Sequence, residues 1–591
     1  MSAREVGPVA RWLLGVTTVI AALSPSDAGA DRLVPGPGEA GHDEMLARRA
    51  DAFDVQIHEI MTPSVGWGLE AFVSRPENRA LIDDFFARGG RDFRAETGRH
   101  PYEVVDYYEE HGDLGMFGGV QAAGDAFRYV VLRDSGAPAE ELERARRALL
   151  RAMDGLHWYT RVTGQPGVFA RGIRRITPEA GEPPLPGDLP ELVPLRDGSG
   201  NPLPVDKHAV WRADQSGELP FLIWLDDTSK DQAAGYVMAL GAVYDAVVDD
   251  PSVPTELVNR LVEDARAIGL SLLETRDIGA SRTTELVIMD ADGRPTTFHD
   301  LSAEEVAPGL VLRDATNGFN GWMGLAILRT LFHITGDERI GRFYYEELIG
   351  RRGYLDNVEA TINAMYLGRM TNYSNVNMAF VSAYGLLRYE SDRDIGIRLR
   401  VILENKLYAV GVDRDADDLG QSFFDFVYAG FRVLGTMGEG TDAREDGIRT
   451  LVEHPSPPHW DRTRVNCDEA ELAALRCTLD DGTVVTLLEG GGRGGQAVAS
   501  EAIPMRLRPP SNFEWRSDPH RVNGGGGERL NPGGDFHGAY WLGRFLTAGT
   551  DGFANVSPRA RPAPPRSPDP PDGGPPPSGD SGPPPIDGGA P

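Results

Sequence analysis

Asp226, Asp227 and Asp231 lie close together in residues 224–232, directly before an apolar segment. Polar residues that precede a buried helix either cap its free backbone N–H groups or face a cleft together with them. One helix needs one cap, whereas this stretch offers three carboxylates and two hydroxyls. The polar groups beyond the single cap therefore favour a chemical role for this stretch. Glycoside hydrolysis needs such a set, because one carboxyl group donates a proton while a second acts in its ionised form.

Similar polar clusters precede other apolar segments of the chain. They are residues 112–113 before 120–131, residues 314–317 before 318–334, and residues 372–375 before 376–389. Helix capping is the alternative interpretation of each of these residues, because Asp, Asn, Ser and Thr are the preferred N-caps. The recurrence indicates that several helices begin with polar groups of similar kind.

Helical periodicity organises the chain from residue 118 onward, where a mostly apolar segment alternates with one that is apolar on a single stripe. A helix that is apolar all round must be buried, and one with a single stripe lies outside. The alternation therefore predicts two concentric rings of helices. The predicted pairs are 120–131 with 139–163, 233–248 with 255–275, 318–334 with 338–349, 376–389 with 392–410, and 422–433 with 443–452.

Further elements are predicted outside these pairs. Helical patterns cover residues 43–61 and 80–87, and residues 535–546 are expected to be the last ordered segment. Two β-hairpins are predicted at residues 284–298 and 475–488, because each has strand-forming residues on both sides of an Asp-rich turn that ends in glycine. The expected fold is therefore all-α with small β-hairpin insertions.

The two ends of the chain have a different composition. Residues 1–30 combine early arginines, a short apolar run and the sequence Ala28-Gly29-Ala30, which is typical of a signal peptide cleaved before Asp31. The apolar run is too short for a permanent membrane span. We expect a protein exported to the periplasm or the extracellular space. Residues 31–42 are predicted to be a linker, residues 43–548 the helical domain, and residues 549–591 a disordered tail rich in Pro and Gly.

Cys467 and Cys477 are the two cysteines of the chain. In an oxidising compartment we predict a local disulfide between them, with two free thiols as the alternative.

Composition also excludes several classes of function. The formal charge of −30 argues against a nucleic-acid partner, because phosphate binding needs clustered Lys and Arg. The sequence has no phosphate loop, dinucleotide fingerprint or HExxH motif. Asp413, Asp415 and Asp417 alternate as in a calcium loop, but Asp418 stands where glycine is required and Phe424 where glutamate is required. We therefore expect neither a cofactor nor a metal ion.

Several segments of the sequence resemble one group of proteins. They are residues 224–232 with Gly235 and Tyr244-Asp245, residues 292–296, residues 333–338, and residues 540–544. The chain resembles the six-hairpin glycosidase-like superfamily, and within it a group of uncharacterised exported bacterial proteins, over residues 43–545. The resemblance implies an (α/α)6 toroid, the fold of many glycoside hydrolases, polysaccharide lyases and related epimerases. It brings no catalytic residue with it.

In such a toroid the inner helices run parallel, so the loops that enter them open on one face. The predicted cleft residues are Asp113, Asp226, Asp227, Asp231, Asn317, Asn320, Tyr373 and Asn375. Trp224, Trp322 and Tyr373 would supply aromatic faces for a poly- or oligosaccharide. Asp227 and Asp113 form the preferred catalytic pair, with Asp231 third.

Two other functions remain open at this point. A polysaccharide lyase would need a Tyr or His base and a group that neutralises a uronic carboxylate, and Tyr373, His208, Asn375 and Arg212 offer that set. A non-catalytic glycan-binding or envelope scaffold protein would use each Asp as a helix cap. The sequence leaves the sugar, the linkage and the oligomeric state open.

Overall fold

The structure is a computed structural model that describes residues 32–63, 65–279, 282–305, 316–433, 437–549 and 551–565. The predicted signal peptide and the last part of the predicted tail lie outside these residues.

Helices dominate the described chain. In chain order they are α1 Glu44–Val55, α2 Pro76–Ala87, α3 Phe93–Thr97, α4 Leu114–Asp134, α5 Ala139–Arg161, α6 Lys230–Val247, α7 Thr255–Leu273, α8 Gly318–Thr335, α9 Glu338–Arg342, α10 Tyr354–Thr361, α11 Tyr373–Tyr389, α12 Arg393–Ile402, α13 Ser422–Phe431, α14 Met437–Glu453, α15 Glu469–Ala473 and α16 Gly534–Phe545. Helices α1, α9 and α12 continue as π-helical turns over Gln56–Met61, Phe343–Arg351 and Leu403–Tyr408.

Six of these helices form an inner ring. Helix α4 contacts α6, and the contacts continue through α8, α11, α13 and α16 and return from α16 to α4. The outer helices α5, α7, α9, α12 and α14 each contact the inner helix that precedes them in the chain, and α1 contacts α16. This arrangement is an (α/α)6 toroid, and it confirms the predicted fold class.

Burial follows the predicted division into two rings. Every residue of α13 is buried, and α6 is buried over nearly its whole length. Helix α5 is buried along one stripe that includes Ala145, Leu149, Ala152 and Leu156. Residues at these spacings share one helix face, which packs on the inner ring while the charged faces meet solvent.

The sixth hairpin of the ring comes from the two ends of the described chain. Helix α16 is the inner member and α1 is the outer member. Sequence periodicity predicts α1, whereas for residues 535–546 the sequence predicts only an ordered segment. The pairing of α1 with α16 was not predicted, because the two segments are far apart in the chain. Backbone hydrogen bonds from Leu33 to Leu546 and from Val34 to Gly543 fasten the same junction.

Strands are short and lie between the helices. They are β1 Glu70–Phe72, β2 Tyr107–Glu109, β3 Gly172–Arg175, β4 Trp211–Ala213, β5 Leu222–Leu225, β6 Arg276–Gly279, β7 Arg282–Thr284, β8 Val287–Met289, β9 Pro295–Asp300, β10 Arg464–Val465, β11 Arg476–Thr478, β12 Val484–Thr486, β13 Asn523–Gly524 and β14 Arg529–Leu530. The pairs β8–β9 and β11–β12 are antiparallel and confirm both predicted hairpins.

A three-stranded sheet, in the order β3–β5–β4, was not predicted. Its central strand β5 ends at Leu225, and the chain then turns through residues 226–229 into α6. The sequence pattern concealed this strand because β5 is a short run of four apolar residues without alternation. The sheet holds the start of α6 in place from one side.

A second, small core surrounds the disulfide. Cys467 and Cys477 are bonded, with their Cα atoms 5.1 Å apart, which confirms the predicted pairing. Leu479, Ile503 and Val522 pack around them in a cluster distinct from the core of the toroid. The disulfide therefore belongs to the insertion that β11 and β12 form.

The segment 551–565 packs against the toroid, although its composition predicts disorder from residue 549. Asn555 Nδ2 donates a hydrogen bond of 2.9 Å to the carbonyl of Gly430, and Arg388 Nη1 donates one of 2.7 Å to the carbonyl of Asn555. The guanidinium of Arg400 lies 3.8 Å from the ring centroid of Phe553. Polar and cation–π contacts hold this segment on the toroid, so a low apolar content did not by itself predict whether residues 551–565 are ordered.

Among the described residues, no helix is both long enough and apolar enough to cross a membrane.

Candidate active site

The starts of α4, α6 and α8 meet on one face of the toroid. Gln232 Oε1 accepts a hydrogen bond of 3.0 Å from the backbone N–H of Met116, which joins α6 to α4. Lys230 Nζ donates to Asn320 Oδ1 at 2.9 Å, which joins α6 to α8. For these three helices the loops converge as the toroid predicted, so the polar residues at the helix starts lie close together.

Asp113 occupies the N-cap position of α4, but its side chain makes no capping hydrogen bond. Its Oδ2 instead accepts a hydrogen bond of 2.7 Å from Arg516 Nη1, and the side chain of Asp113 is 18% exposed. The guanidinium of Arg516 also lies 4.7 Å from the ring centroid of Phe117. Because the cation is held between a carboxylate and a ring, Asp113 has a fixed, charged partner and remains open to solvent.

Glu110 lies beside this pair in a strained backbone conformation. Its φ is +62°, in the left-handed region that a residue with a side chain rarely adopts, and the side chain is exposed. Its carbonyl accepts a hydrogen bond of 3.1 Å from the backbone N–H of Asp113. Desolvation, with a smaller contribution from the Asp113 carboxylate, raises the pKa of Glu110, while Arg516 opposes the rise. Backbone strain of this kind clusters at functional sites.

A buried carboxyl group extends the cluster inward. Glu70, on β1, accepts a hydrogen bond from Asn512 Nδ2, and Asn512 Oδ1 accepts one of 3.3 Å from Arg516 Nη2. Burial is the main cause that raises the pKa of Glu70 to about 7, and the nearby carboxylates of Glu110 and Glu109 add to it. A chain of hydrogen bonds thus connects Glu70 to Asp113 through Asn512 and Arg516.

Asp231 approaches the cluster from the first turn of α6. Its carboxylate accepts hydrogen bonds from Ser229 Oγ and from Gln232 Nε2. Desolvation is the main cause that raises the pKa of buried Tyr159 well above its usual value. The charges of Asp231 and Asp113 raise this pKa further. A Cβ at Gly115 would lie 2.3 Å from that hydroxyl, so Tyr159 sits directly beneath the start of α4. The structure therefore brings Asp113 and Asp231 near the hydroxyl of the same tyrosine.

Asp227 is a structural anchor of the β8–β9 hairpin. Its Oδ1 accepts a hydrogen bond of 2.8 Å from the backbone N–H of Thr297, and its Oδ2 accepts one of 2.7 Å from the Thr297 hydroxyl. The backbone N–H of Asp227 donates to Asp290 Oδ2 at 3.1 Å, and the residue is 6% exposed. Both carboxylate oxygens are therefore engaged, and no capping role is needed to explain the residue.

Asp226 forms a buried ion pair with Arg212, and both side chains are fully buried. The closest oxygen and nitrogen are 2.6 Å apart. Burial raises the pKa of Asp226 to about 6, and the Asp290 carboxylate adds to the rise. Arg212 was a candidate for neutralising a uronic carboxylate, but its guanidinium is enclosed with Asp226 and does not reach solvent.

Trp224 and Trp322 were predicted to be sugar-stacking rings, but both are fully buried. Trp224 lies in β5 and donates from Nε1 to the carbonyl of Ala213 at 3.0 Å. Trp322 donates from Nε1 to the carbonyl of Ala379 at 2.9 Å, between two inner helices. Their indoles serve the core, as large aromatic side chains commonly do.

The remaining predicted residues have mixed environments. Asn317 caps α8 by accepting from the backbone N–H of Asn320 at 3.1 Å. Asn320 is fully buried and donates to Asp300 at 2.7 Å. Tyr373 is buried, and desolvation raises its pKa above the usual range. Asn375 accepts from Asn372 Nδ2 at 3.3 Å at the start of α11.

His208 is exposed, and its Nδ1 lies 2.8 Å from the carbonyl oxygen of Asp206. This contact is local to the loop that precedes β4. The four residues considered for a lyase thus include one exposed imidazole, one enclosed guanidinium and one buried phenol. Their environments differ too much for a shared proton-abstraction site.

Sequence reasoning missed Glu70, Glu110, Asn512 and Arg516. A signal for Glu110 existed, because Glu109, Glu110 and Asp113 place three carboxyl groups directly before an apolar helix. Asn512 and Arg516 carried no comparable signal. They reach the site from an irregular stretch far along the chain, and only the folded toroid brings them there.

Comparison with known proteins gives limited information. No protein-family model matches the sequence, and no curated protein matches it. The fold is similar to the crystal structure of the cellulase Cel9M of C. cellulolyticum, with 11% identity, coverage of 86% of this chain and 99% of that chain, and a TM-score of 0.35. It is also similar to a single mutant of a thermostable endoglucanase from Alicyclobacillus acidocaldarius, with 12% identity, coverage of 85% and 83%, and a TM-score of 0.31. Likenesses this distant carry no argument about substrate, so the site is interpreted from its own geometry.

Proposed function

We propose that this protein is a carbohydrate-active enzyme, and specifically a glycoside hydrolase that acts on a poly- or oligosaccharide. One observation carries the proposal: Glu110, with a raised pKa, lies beside Asp113, which is paired with Arg516. Glycoside hydrolysis needs two neighbouring carboxyl groups with different roles, and this pair offers one with a raised pKa and one held in an ion pair.

The two groups have distinct roles in this proposal. Glu110 holds its proton and donates it to the glycosidic oxygen as the bond to the leaving sugar breaks. Asp113 acts in its ionised form, either on a water molecule or on the sugar carbon itself. Arg516 keeps the Asp113 carboxylate in place and balances its charge. Asp231 borders the pair and would contact the substrate, while buried Glu70 supports Arg516 through Asn512.

The buried tryptophans cannot stack on a sugar, so an exposed aromatic ring must supply this contact. Phe298 is 51% exposed and lies on β9, whose backbone bridges to Ser229 at the entry to α6. An exposed ring at this position offers a flat apolar face on the same side of the toroid as Asp231. We therefore propose Phe298 as a sugar-stacking residue.

Two alternatives are less well supported. A scaffold would use its Asp residues as caps, but neither Asp113 nor any side chain at the N-cap of α6 makes a capping hydrogen bond. The lyase alternative relied on Arg212 or Asn375 to meet a uronic carboxylate, and Arg212 is enclosed with Asp226. Export stays part of the proposal, and the Cys467–Cys477 disulfide supports it, because disulfides persist in oxidising compartments.

A polysaccharide panel tests the reaction class. Reducing ends and the absorbance of unsaturated uronic products are measured together on the same samples. A hydrolase releases reducing ends without that absorbance, and a lyase produces both. The release must disappear in Asp113→Asn, because otherwise a contaminating enzyme accounts for it. If the panel yields unsaturated products that depend on the protein, the hydrolase assignment is wrong.

A further inference from the structure

Two histidines and two aspartates meet where α1, α4 and α16 join, away from the proposed active site. His58 Nε2 lies 2.9 Å from Asp125 Oδ1, and His537 Nε2 lies 3.1 Å from the same oxygen. His537 Nδ1 lies 2.7 Å from Asp54 Oδ1, and Asp54 pairs with Arg128 at 2.9 Å. Two imidazole nitrogens thus contact the Asp125 carboxylate, and the Asp54 carboxylate contacts the other ring nitrogen of His537.

One carboxylate oxygen in the cluster lacks a hydrogen-bond partner. It is Oδ2 of Asp125, a fully buried residue. Buried polar atoms are rarely left without a partner, because the loss of hydration is costly. One ligand atom from each of His58, Asp125 and His537 lies within 4.8 Å of the others. The cluster therefore offers three ligand atoms close together and one buried carboxylate oxygen that has no partner.

Two backbone features allow these rings to approach each other closely. A Cβ at Gly124 would lie 2.4 Å from Cδ2 of His537, so only glycine there lets the imidazole approach α4 this closely. His58 lies in the π-helical turn Gln56–Met61 that continues α1. A π-helical turn changes the direction of side chains relative to an α-helix and is frequent at functional sites.

We propose that His58, Asp125 and His537 bind a divalent transition metal ion, with zinc as the natural choice. Two imidazole nitrogens and one carboxylate are a known donor set for zinc in a site that keeps one position open. Asp54 then serves as the carboxylate that orients a metal-bound imidazole through its other nitrogen. Asp54, His58 and Arg128 also line a cavity of ≈ 220 Å³ beside the cluster.

The position of the site gives the ion a structural consequence. His537 belongs to the last inner helix, Asp125 to α4, and His58 to the turn that follows α1. The ion would join the beginning and the end of the toroid at the point where the ring closes. Sequence motifs could not reveal it, because the three ligands come from distant parts of the chain.

Zinc uptake by the full chain tests the proposal. Metal-free protein is dialysed against Zn²⁺ and its bound metal is measured, together with its thermal midpoint. We expect one zinc per chain and a higher midpoint with zinc, since an ion that binds only the folded state stabilises it. His58→Gln is the informative variant because His58 is 19% exposed, so the fold tolerates the change. Its zinc affinity should fall by about 10-fold to 100-fold or more.

The matched control is His157→Gln. His157 also lies 2.9 Å from an aspartate oxygen, that of Asp264, and is 21% exposed, but it has no second histidine beside it. This variant should bind zinc as the wild type does. Co²⁺ provides a second readout, because the wild type should give the visible spectrum of a four-coordinate ion and His58→Gln should not. Equal zinc affinity in wild type and His58→Gln, or a six-coordinate cobalt spectrum in the wild type, would overturn the proposal.

Discussion

Arg516 Nη1 lies 2.7 Å from Asp113 Oδ2, although the two residues are 403 positions apart in the chain. The contact fastens the irregular segment before α16 to the entry of α4. It also explains why Asp113 is not a helix cap, since its carboxylate is turned toward the guanidinium. One ion pair thus joins two distant segments on this face and holds the proposed catalytic carboxylate in place.

Asp227 is expected to matter for the β8–β9 hairpin and not for chemistry. Asp227→Asn keeps an acceptor and a donor for Thr297, and Asn tolerates the φ of +57° at this position, so activity and thermal midpoint should be close to wild type. Asp227→Ala leaves the buried groups of Thr297 without partners and should cost about 2 kcal/mol of unfolding free energy.

Both variants are measured by thermal unfolding and by turnover on the best substrate of the panel. A loss of several orders of magnitude in turnover for a well-folded Asp227→Asn would contradict this account. It would restore Asp227 to the catalytic pair that the sequence suggested.

Much of the scaffold could be predicted from the sequence. Helical periodicity identified the helix pairs from α4–α5 to α13–α14, because an apolar inner helix and a striped outer helix differ in a way that local sequence reveals. Proximity in the chain could not show that α1 and α16 form the sixth pair. Trp224 was misjudged because a ring before a polar cluster has the same local pattern whether it faces a cleft or the core. Glu110 could be found from its neighbours, but Arg516 could not.

Removing Arg516 should change the pH profile of the reaction. The positive charge of Arg516 lowers the pKa of Glu110, so Arg516→Gln should raise that pKa further. Glu110 acts in its protonated form in the proposed mechanism, and activity is lost as pH rises through its pKa. The alkaline limb of kcat/KM should therefore move to higher pH in Arg516→Gln.

Arg260→Gln is the control for that measurement, because Arg260 pairs with Asp154 at 2.7 Å on the outer helices. Its pH profile should match that of the wild type. An alkaline limb that stays in place in Arg516→Gln, or that moves to lower pH, would count against Glu110 as the acid.

Glu514 should make stability depend on pH. Burial is the main cause that raises its pKa from 4.5 to about 7. The folded state then binds the proton more tightly than the unfolded chain, so the contribution to stability is complete below pH 4.5 and is lost as pH rises through 7. Glu514→Gln removes the titration, and its unfolding free energy relative to wild type should increase across that window.

Chemical denaturation at several pH values provides this difference, with Glu501→Gln, at an exposed position, as the control. The control should show no such trend. A difference between Glu514→Gln and wild type that is constant with pH would show that Glu514 does not titrate differently in the two states.

Loss of the disulfide should loosen only the β11–β12 insertion. Cys467 and Cys477 pack in the small core with Leu479 and Val522, separate from the toroid. The double variant Cys467→Ser/Cys477→Ser should destabilise that insertion by about 2–3 kcal/mol, as expected for a short closed loop. Hydrogen exchange should speed up in residues 464–488 and stay unchanged in α4 and α6. Faster exchange throughout the inner ring would show that the insertion and the toroid unfold together.

Glu110→Gln tests the central claim most directly. On a natural polysaccharide its kcat should fall by about 10²-fold to 10⁴-fold, because no proton reaches the leaving oxygen. On an aryl glycoside with an acidic leaving group, which needs no proton, the same variant should keep most of its activity, while Asp113→Asn should lose activity on both substrates. Asp154→Asn, which disrupts a matched ion pair elsewhere, should be normal on both. If Glu110→Gln is fully active on the polysaccharide, or equally impaired on both substrates, Glu110 is not the proton donor.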